Sequence, residues 1–371
     1  MRRFIIAPDS FKGSKSAREI CEILASAVEE IVPDADIIKI PMSDGGEGMV
    51  DAYLGILGGE KKQLCVTGPK GQSVGAAYGI LPDGSAITEM AECAGLPLMG
   101  GELDPMHATT YGVGELLIAL SEAGIKKVLM GIGGSATNDC GVGMAAALGY
   151  VFEDEDGAEV APFACNIGRI RHIRKPETMP QLNITVACDV DNPLCGERGA
   201  SAVFGPQKGL KKEQIGPLDE DIRSFAALIK RGLGVDVLDV PGAGAAGGLG
   251  AALMAFCGAK LTPGIEMLLD AADMDNLLNN AELVITGEGR IDYQSASGKV
   301  PVGVSRRAKR AKVPCIAICG CVGDGAEAVL DEGICAFYAC TDGTKSFEEI
   351  VKSCRDDLRV TAAQVLPGHI K

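Results

Sequence analysis

The sequence predicts an α/β protein in which a doubly wound parallel sheet is interrupted by a second α/β domain with a mixed sheet. Three observations carry this prediction. Strand-like and helix-like segments alternate at both ends of the chain, the middle reads instead as strands broken by Gly and Pro turns, and 371 residues exceed what one hydrophobic core usually supports.

From the N-terminus, RFIIAPDS reads as a buried strand running into a loop. Residues 16–32 then place Ile20, Ile23, Leu24, Ala27, Val28 and Ile31 at helical spacing, with Ser14 and Ser16 as candidate caps. DIIKI is a second strand, PMSDGG a loop, and residues 47–57 a second helix closed by Gly58 and Gly59. The same alternation returns late in the chain. AELVITGEGR is a strand and loop, residues 298–311 a helix, VPCIAICG a strand, residues 326–330 a short helix, CAFYAC a strand, and residues 346–365 the last helix. Five strand–helix units are thus divided between residues 1–60 and 276–371. Joined in one parallel sheet by right-handed crossovers, they give the flavodoxin-like order 2-1-3-4-5.

Residues 61–275 form the insertion. KKQLCVTGPKGQSVGAAYGILPDGSAITEMA alternates strands with Gly and Pro turns, which suggests antiparallel or mixed pairing. Next come a helix at 110–123, the strand KKVLMGI, the loop GGSATND opening a small-residue helix at 142–148, and a hairpin at 150–161. The strand NITVACD, a polar helix at 211–233 and the segment GAGAAGGLGAALMAF complete it.

Composition removes several classes. Glycine supplies 50 of 371 residues, roughly twice the usual share of about 7%, yet there is no G-X-Y period and 47% of residues are hydrophobic, which excludes collagen-like and disordered chains. Aromatics make up 4%, Trp is absent, and the net charge is −15. Such a surface repels polyanions and lacks stacking platforms, so no nucleic-acid partner is expected. No apolar run reaches the length of a membrane span, and the start MRRFIIAPDS is too short for a signal-peptide core. The 14 cysteines mostly sit in apolar stretches without a CxxC pair, as reduced thiols of a cytoplasmic protein do.

In an open parallel sheet, ligands bind beyond the carboxyl ends of the strands where strand order reverses. That point lies between the first strand and AELVIT, whose exit loops are APDSFKGS and TGEGRIDYQSASGK; PMSDGGEG leaves the second strand on the same edge. These loops bring Asp9, Ser10, Lys12, Asp44, Glu47, Gly287, Glu288, Arg290, Asp292 and Lys299 towards one crevice. Each loop alone has a plainer account, in which glycine permits a turn and a carboxylate caps a helix. Three charged loops at one edge favour a site.

The insertion adds two candidates. GIGGSATND follows a strand and opens a helix, so Gly133, Gly134, Ser135, Thr137 and Asn138 form a candidate anion nest, although the segment is neither a Walker motif nor GxGxxG. A tight strand-to-helix turn is the alternative. In ACDVDNPLCG, Asp189 and Asp191 leave an apolar strand; they could share Mg²⁺ or activate a hydroxyl, or simply form an Asx turn. PGAGAAGGLGAALM carries no charge and is read as a packing segment. With only three histidines, none in these loops, Ser-His-Asp and His-zinc chemistries lose their base and ligands. Carboxylates, glycine amides, Lys and Arg are the equipment of phosphoryl transfer.

APDSFKGSKSA, PMSDGGEG, GIGGSATND, ACDVDNPLCG, VFGPQKG, PGAGAAGGLGAAL and TGEGRIDYQSASGKVPVGV together resemble the glycerate kinase type-1 family, over essentially the whole chain and in the family's motif order. The combination of PDSFKGS with TGEGRID-x-Q-S-x-x-GK is the specific part. The resemblance implies ATP-dependent phosphorylation of D-glycerate with Mg²⁺, in glycolate, glyoxylate and aldarate catabolism, with 2-phospho-D-glycerate as the preferred product. It also implies a flavodoxin-like domain interrupted by a second α/β domain. Two departures are visible: Cys140 stands where glycine is expected after TND, and Lys15 where leucine is usual.

Residue roles are assigned from chemistry and expected proximity, with the active site in a cleft between the domains. Asp189 is the expected base, and Lys12 and Arg290 the clamps on the substrate carboxylate or the transferring phosphoryl group. Asp9, Ser10, Asp44, Glu47, Asp191, Asp292 and Lys299 are expected to bind substrate, with Asp44, Asp191 and Asp292 as metal ligands. Gly133, Gly134, Ser135, Thr137, Asn138, Gly287 and Glu288 are expected at the nucleotide. A second copy of the chain, in a homodimer, is the expected protein partner. A kinase for another small hydroxy acid or polyol is the nearest alternative, and a non-enzymatic nucleotide or sugar-acid sensor the next.

Overall fold

The structure, a computed structural model, describes residues 2–11, 13–43, 48–341 and 344–370. The chain divides into two compact units: Met1–Asp44, Asp51–Leu57 and Gly264–Lys371 form the first, Gly45–Val50 and Gly58–Pro263 the second. Among the described residues, eleven strands build their main sheets: β1 (Arg3–Ile6), β2 (Asp36–Lys39), β3 (Glu60–Thr67), β4 (Ser73–Ile80), β5 (Ala86–Glu89), β6 (Lys127–Gly131), β7 (Asn183–Ala187), β8 (Lys260–Thr262), β9 (Ala281–Thr286), β10 (Cys315–Cys319) and β11 (Ala336–Ala339).

In the first unit the sheet order is β2-β1-β9-β10-β11, every neighbouring pair parallel. Counted along this unit alone, that is 2-1-3-4-5, as the alternation of segments predicts. Phe4, Ile5, Ile6 and all of β10 are buried, because helices cover both faces of a parallel sheet and leave no polar side to the strands. The helix Ala17–Ile31 buries Ile20, Leu24 and Val28 in one core with Phe4, Ile6 and Leu358 of the helix Phe347–Val365. Its start is fixed by a capping box: the Glu19 amide donates to Ser16 Oγ, and the Ser16 amide donates to the Glu19 carboxylate at 3.0 Å. Such a cap contributes about 1 kcal/mol.

The chain re-enters this unit at Gly264, ahead of the expected residue 276, through the helix Gly264–Ala271, which the sequence pattern did not announce. Two contacts hold that helix against Val300–Arg310. A side chain at Gly303 would lie 2.3 Å from Ile265, so the helices meet where one has none. Nearly buried Arg307 bonds Glu266, Asp270 and Asp275, enough carboxylate to compensate a desolvated guanidinium.

The second unit carries the mixed sheet β8-β7-β6-β5-β4-β3. Its β3–β4 and β4–β5 pairs are antiparallel; β5–β6, β6–β7 and β7–β8 are parallel. Tyr150, Phe152, Phe225 and Phe256 form an aromatic cluster with ring centroids 4.8–6.4 Å apart, edge-to-face except for the tilted Phe225–Phe256 pair. Through it the helix Lys212–Leu233 closes one side of the core. The hairpin expected at 150–161 is a short one: an antiparallel bridge pairs Glu153 with Glu159, flanked by the Val160 amide donating to Phe152 O and the Asp154 amide to Ala158 O. The three-residue ladder of Val151–Glu153 is made with His172–Arg174.

The segment read as packing is that. Ala246, Gly247 and Gly248 are left-handed in succession (φ 54°, 67° and 88°) before the regular helix begins. A side chain at Gly247 would lie 2.1 Å from Thr137 O, so its glycine lets this backbone lie directly on the GGSATND loop.

Candidate active site

In the first unit, the loops leaving β1 and β9 are tied together where strand order reverses. The Asp9 amide donates to Gly287 O and the Met42 amide to Pro8 O, at 2.8 and 2.9 Å. A side chain at Gly287 would stand 2.0 Å from Ile318 O; this glycine serves close passage against β10. Asp9 and Glu288 are nearly buried, and the Ser10 amide donates to Asp9 Oδ1 at 2.7 Å. With Arg290 and Lys299 they line a cavity of about 290 Å³. Lys299 sits at the N-cap of the helix Val300–Arg310. Arg290 lies mostly in solvent, 3.4 Å from Asp292 Oδ2, and Asp292 also accepts the Gln294 amide in an Asx turn. Asp9, Ser10, Glu288, Arg290 and Lys299, distant in sequence, thus share one wall. Two cations and two carboxylates lining one cavity suit a small ligand bearing both acid and hydroxyl groups.

In the second unit, the GGSATND loop behaves differently from expectation. The helix it opens, Val142–Ala147, does not offer its amides outward. Fully buried Asp139 takes them itself, accepting from the amides of Gly141 and Gly143 at 3.0 and 3.3 Å and from the Thr110 amide and hydroxyl at 3.0 and 2.8 Å. Burial raises the pKa of this carboxyl, while those four donors oppose the shift. The anion nest of this helix start is therefore filled by the protein's own carboxylate. What remains is the earlier part of the loop, where the amides of Gly133 and Gly134 donate to no acceptor among the described residues. Ser135 Oγ and Thr137 O both accept from buried Lys208 Nζ, at 2.6 and 2.7 Å. Asn138 Nδ2 donates to Ser201 Oγ at 2.8 Å.

Asp189 and Asp191, two residues apart after β7, enter opposite environments. Asp189 Oδ2 is shielded from solvent. Asp191 is exposed and bonded to Arg198 at 2.6 Å, a surface pair worth about 0–1 kcal/mol. Lys12, Asp44 and Glu47 lie outside the described residues.

Comparison with known proteins decides what these loops belong to. The model of the glycerate kinase family matches residues 4–368. The chain belongs to the glycerate kinase family. It is 44% identical over 357 residues to a glycerate kinase of Halalkalibacterium halodurans, covering 95% of this chain and 94% of that protein. It is also 44% identical over 361 residues to the glycerate 2-kinase of Escherichia coli, covering 96% and 95%. A crystal structure assigned as glycerate kinase 2 of Salmonella typhimurium LT2 matches with a TM-score of 0.84 at 43% identity, over 99% of this chain and 98% of that one.

A kinase of this family needs ATP as phosphate donor, and three residues its sequence motifs left unassigned take on weight. Lys208, in VFGPQKG, braces the GGSATND loop. Asp139 ends that loop and caps the next helix. Glu89, nearly buried at the end of β5, accepts the Gly48 and Val50 amides at 3.0 and 2.8 Å and so fixes the start of the helix Met49–Leu57. The signal for Glu89 was its place at a strand's carboxyl end; for Lys208, a cation held between two glycines, Gly205 and Gly209, in VFGPQKG.

Among the described residues no three His, Cys, Asp or Glu side chains converge as a metal site. Of the expected ligands, Asp191 is turned to Arg198 and Asp292 to Arg290 and Gln294. Asp9 and Glu288, hard oxygen donors on one cavity, match the one or two carboxylates that Mg²⁺ takes when it arrives on nucleotide phosphates.

Proposed function

We propose that the protein transfers the γ-phosphoryl group of ATP to the 2-hydroxyl of D-glycerate, forming 2-phospho-D-glycerate and ADP. The observation that carries this reading is the 44% identity over nearly the whole chain to relatives named glycerate kinase and glycerate 2-kinase. The cavity chemistry supports it. Glycerate is a three-carbon hydroxy acid, and Arg290 and Lys299 offer fixed cations to its carboxylate or to the transferring group. Asp9 and Ser10 offer acceptor and donor groups to its hydroxyls.

The 2-hydroxyl oxygen attacks the γ-phosphorus, its proton passing to Asp189, while the bond to the β-phosphate oxygen breaks and leaves its electron pair on ADP. Asp189 is the base in this reading because it leaves the carboxyl end of a strand with one carboxylate oxygen, Oδ2, shielded from bulk water. Mg²⁺, bound with ATP through Asp9 or Glu288, would neutralise phosphate charge. Gly133, Gly134 and Ser135 face the phosphates in this reading, and Lys208 supports them from beneath. The activity belongs in the cytoplasm, where ATP is made and where 14 free cysteines remain reduced; no helix among the described residues is long and apolar enough to cross a membrane.

The deciding experiment is a coupled ADP-release assay with D-glycerate and related hydroxy acids, followed by phosphorus NMR of the product. Glycerate-dependent ADP release with a 2-phosphoglycerate signal is expected. ADP release that ignores glycerate rejects the reading; a 3-phosphoglycerate signal rejects only the regiochemistry. Asp189→Asn is expected to lower kcat by at least about a hundredfold with the fold intact, and near-normal turnover would remove Asp189 from its role.

A further inference from the structure

Lys208 is 2% exposed, yet among the described residues it makes no ion pair. Its acceptors among the described residues are both neutral oxygens, Ser135 Oγ and Thr137 O. Asp139 is the charged group that faces it, and that carboxylate is already held by four other donors. The segment Ala200–Phe204, packed against the Lys208 turn, brings no charge. Beside Gly209, Glu102 and Asp104 are turned to Lys70 and His107. A buried ammonium without a contacting counter-charge is costly to keep, so its position calls for an account.

Its effect on the loop supplies one. Donation by Lys208 occupies an acceptor site of the Ser135 hydroxyl and directs the Thr137 carbonyl inward. Among the groups the loop then leaves unbonded are adjacent donors, the amides of Gly133 and Gly134, beside a Ser135 O–H whose acceptor side is already taken. Adjacent N–H and O–H donors are what a phosphate group requires.

We propose that Lys208 is a positioning residue for a phosphate group bound on the outer side of the Gly133–Gly134–Ser135 turn, and that phosphate binding there is accompanied by uptake of a proton from solvent onto Lys208 Nζ. The inference rests on the kinase reading and deepens it by naming the group that organises the phosphate subsite. Desolvation lowers the Lys208 pKa to about 7, so near neutrality part of the free protein carries the amine form. A phosphate brought close favours the ammonium, and the missing proton comes from the buffer.

Calorimetric titration of the full chain, in buffers of different ionisation enthalpy at pH 7, tests this with two probes: the non-hydrolysable ATP analogue AMP-PNP and 2-phosphoglycerate. One of them is expected to bind with uptake of about half a proton, and that probe identifies whose phosphate the turn holds. For it, Lys208→Met is expected to weaken binding at least about tenfold and to abolish proton uptake. Ser135→Ala should weaken binding severalfold while proton uptake persists. Binding by the wild type without proton uptake overturns the proposal, as does Lys208→Met with unchanged affinity and only an altered melting temperature. A wild type that binds neither probe breaks the kinase reading and the proposal with it.

Discussion

The two units handle charge in opposite ways. Around the cavity of the first, Arg290 and Lys299 remain partly in solvent beside nearly buried Asp9 and Glu288, so side chains present their charge to whatever enters. At the GGSATND loop of the second, Asp139 and, from the VFGPQKG segment, Lys208 are buried and spent on backbone and hydroxyl groups, so charge shapes the loop. Charged residues in glycine-rich loops therefore need not be ligand contacts. Where they are buried and hydrogen-bonded they define shape, and their loss should lower stability and reach a ligand only through the loop they shape. Where they are exposed at a cavity, their loss should appear in kinetics.

The largest effect that could break this contrast concerns Asp139. Asp139→Ala strands three amides and a hydroxyl that the carboxylate now accepts, and buried orphaned donors cost about 1–3 kcal/mol each. The expected loss is about 3 kcal/mol or more, read as a lower urea midpoint for the second unit. A variant with wild-type stability and defective turnover would make Asp139 a ligand contact and dissolve the distinction.

The counterpart in the first unit is Arg290→Met. The guanidinium is mostly solvated and its 3.4 Å pair with Asp292 contributes little, so stability should change by less than about 0.5 kcal/mol. Its kcat/KM should nevertheless fall at least about tenfold through loss of a charge-assisted contact. Steady-state kinetics beside a urea titration separate the two. Unaltered kinetics would leave Arg290 as surface charge and hand the clamp to Lys299.

Much of the first unit was legible because its strands are buried on both faces: RFII, AELVIT and CIAIC stand out as apolar runs whatever surrounds them. The site followed from topology, since strand reversal names which loops meet. The helix Gly264–Ala271 stayed hidden because what holds it, the missing side chain of Gly303 and the acid cluster on Arg307, comes from a helix far along the chain. The helix start after GGSATND was legible as an element, but not the occupant of its amides, since no local pattern says that Asp139 folds back onto the Gly141 and Gly143 amides following it. Lys208 was unreadable as a brace for a related reason: its acceptors lie about seventy residues away.

The smallest predicted effect tests how far such shaping tolerates a departure from the family pattern. Cys140, where glycine is expected, is buried with φ 49°, and its amide donates to Gly247 O at 2.9 Å. A non-glycine residue in this region carries about 1–2 kcal/mol of strain, which Cys140→Gly relieves. Against that stand the lost burial of the CH₂–SH group, about 1 kcal/mol or somewhat more, and the greater freedom of glycine in the unfolded chain, about 0.5–1 kcal/mol. The opposing contributions nearly cancel, leaving a net change within about 1 kcal/mol and unchanged KM for both substrates. A urea midpoint displaced by more than about 2 kcal/mol, or a raised KM for ATP, would mean that the thiol itself shapes the outer side of the loop, and the division between shaping charge and contacting charge would have to admit a neutral residue to the first group.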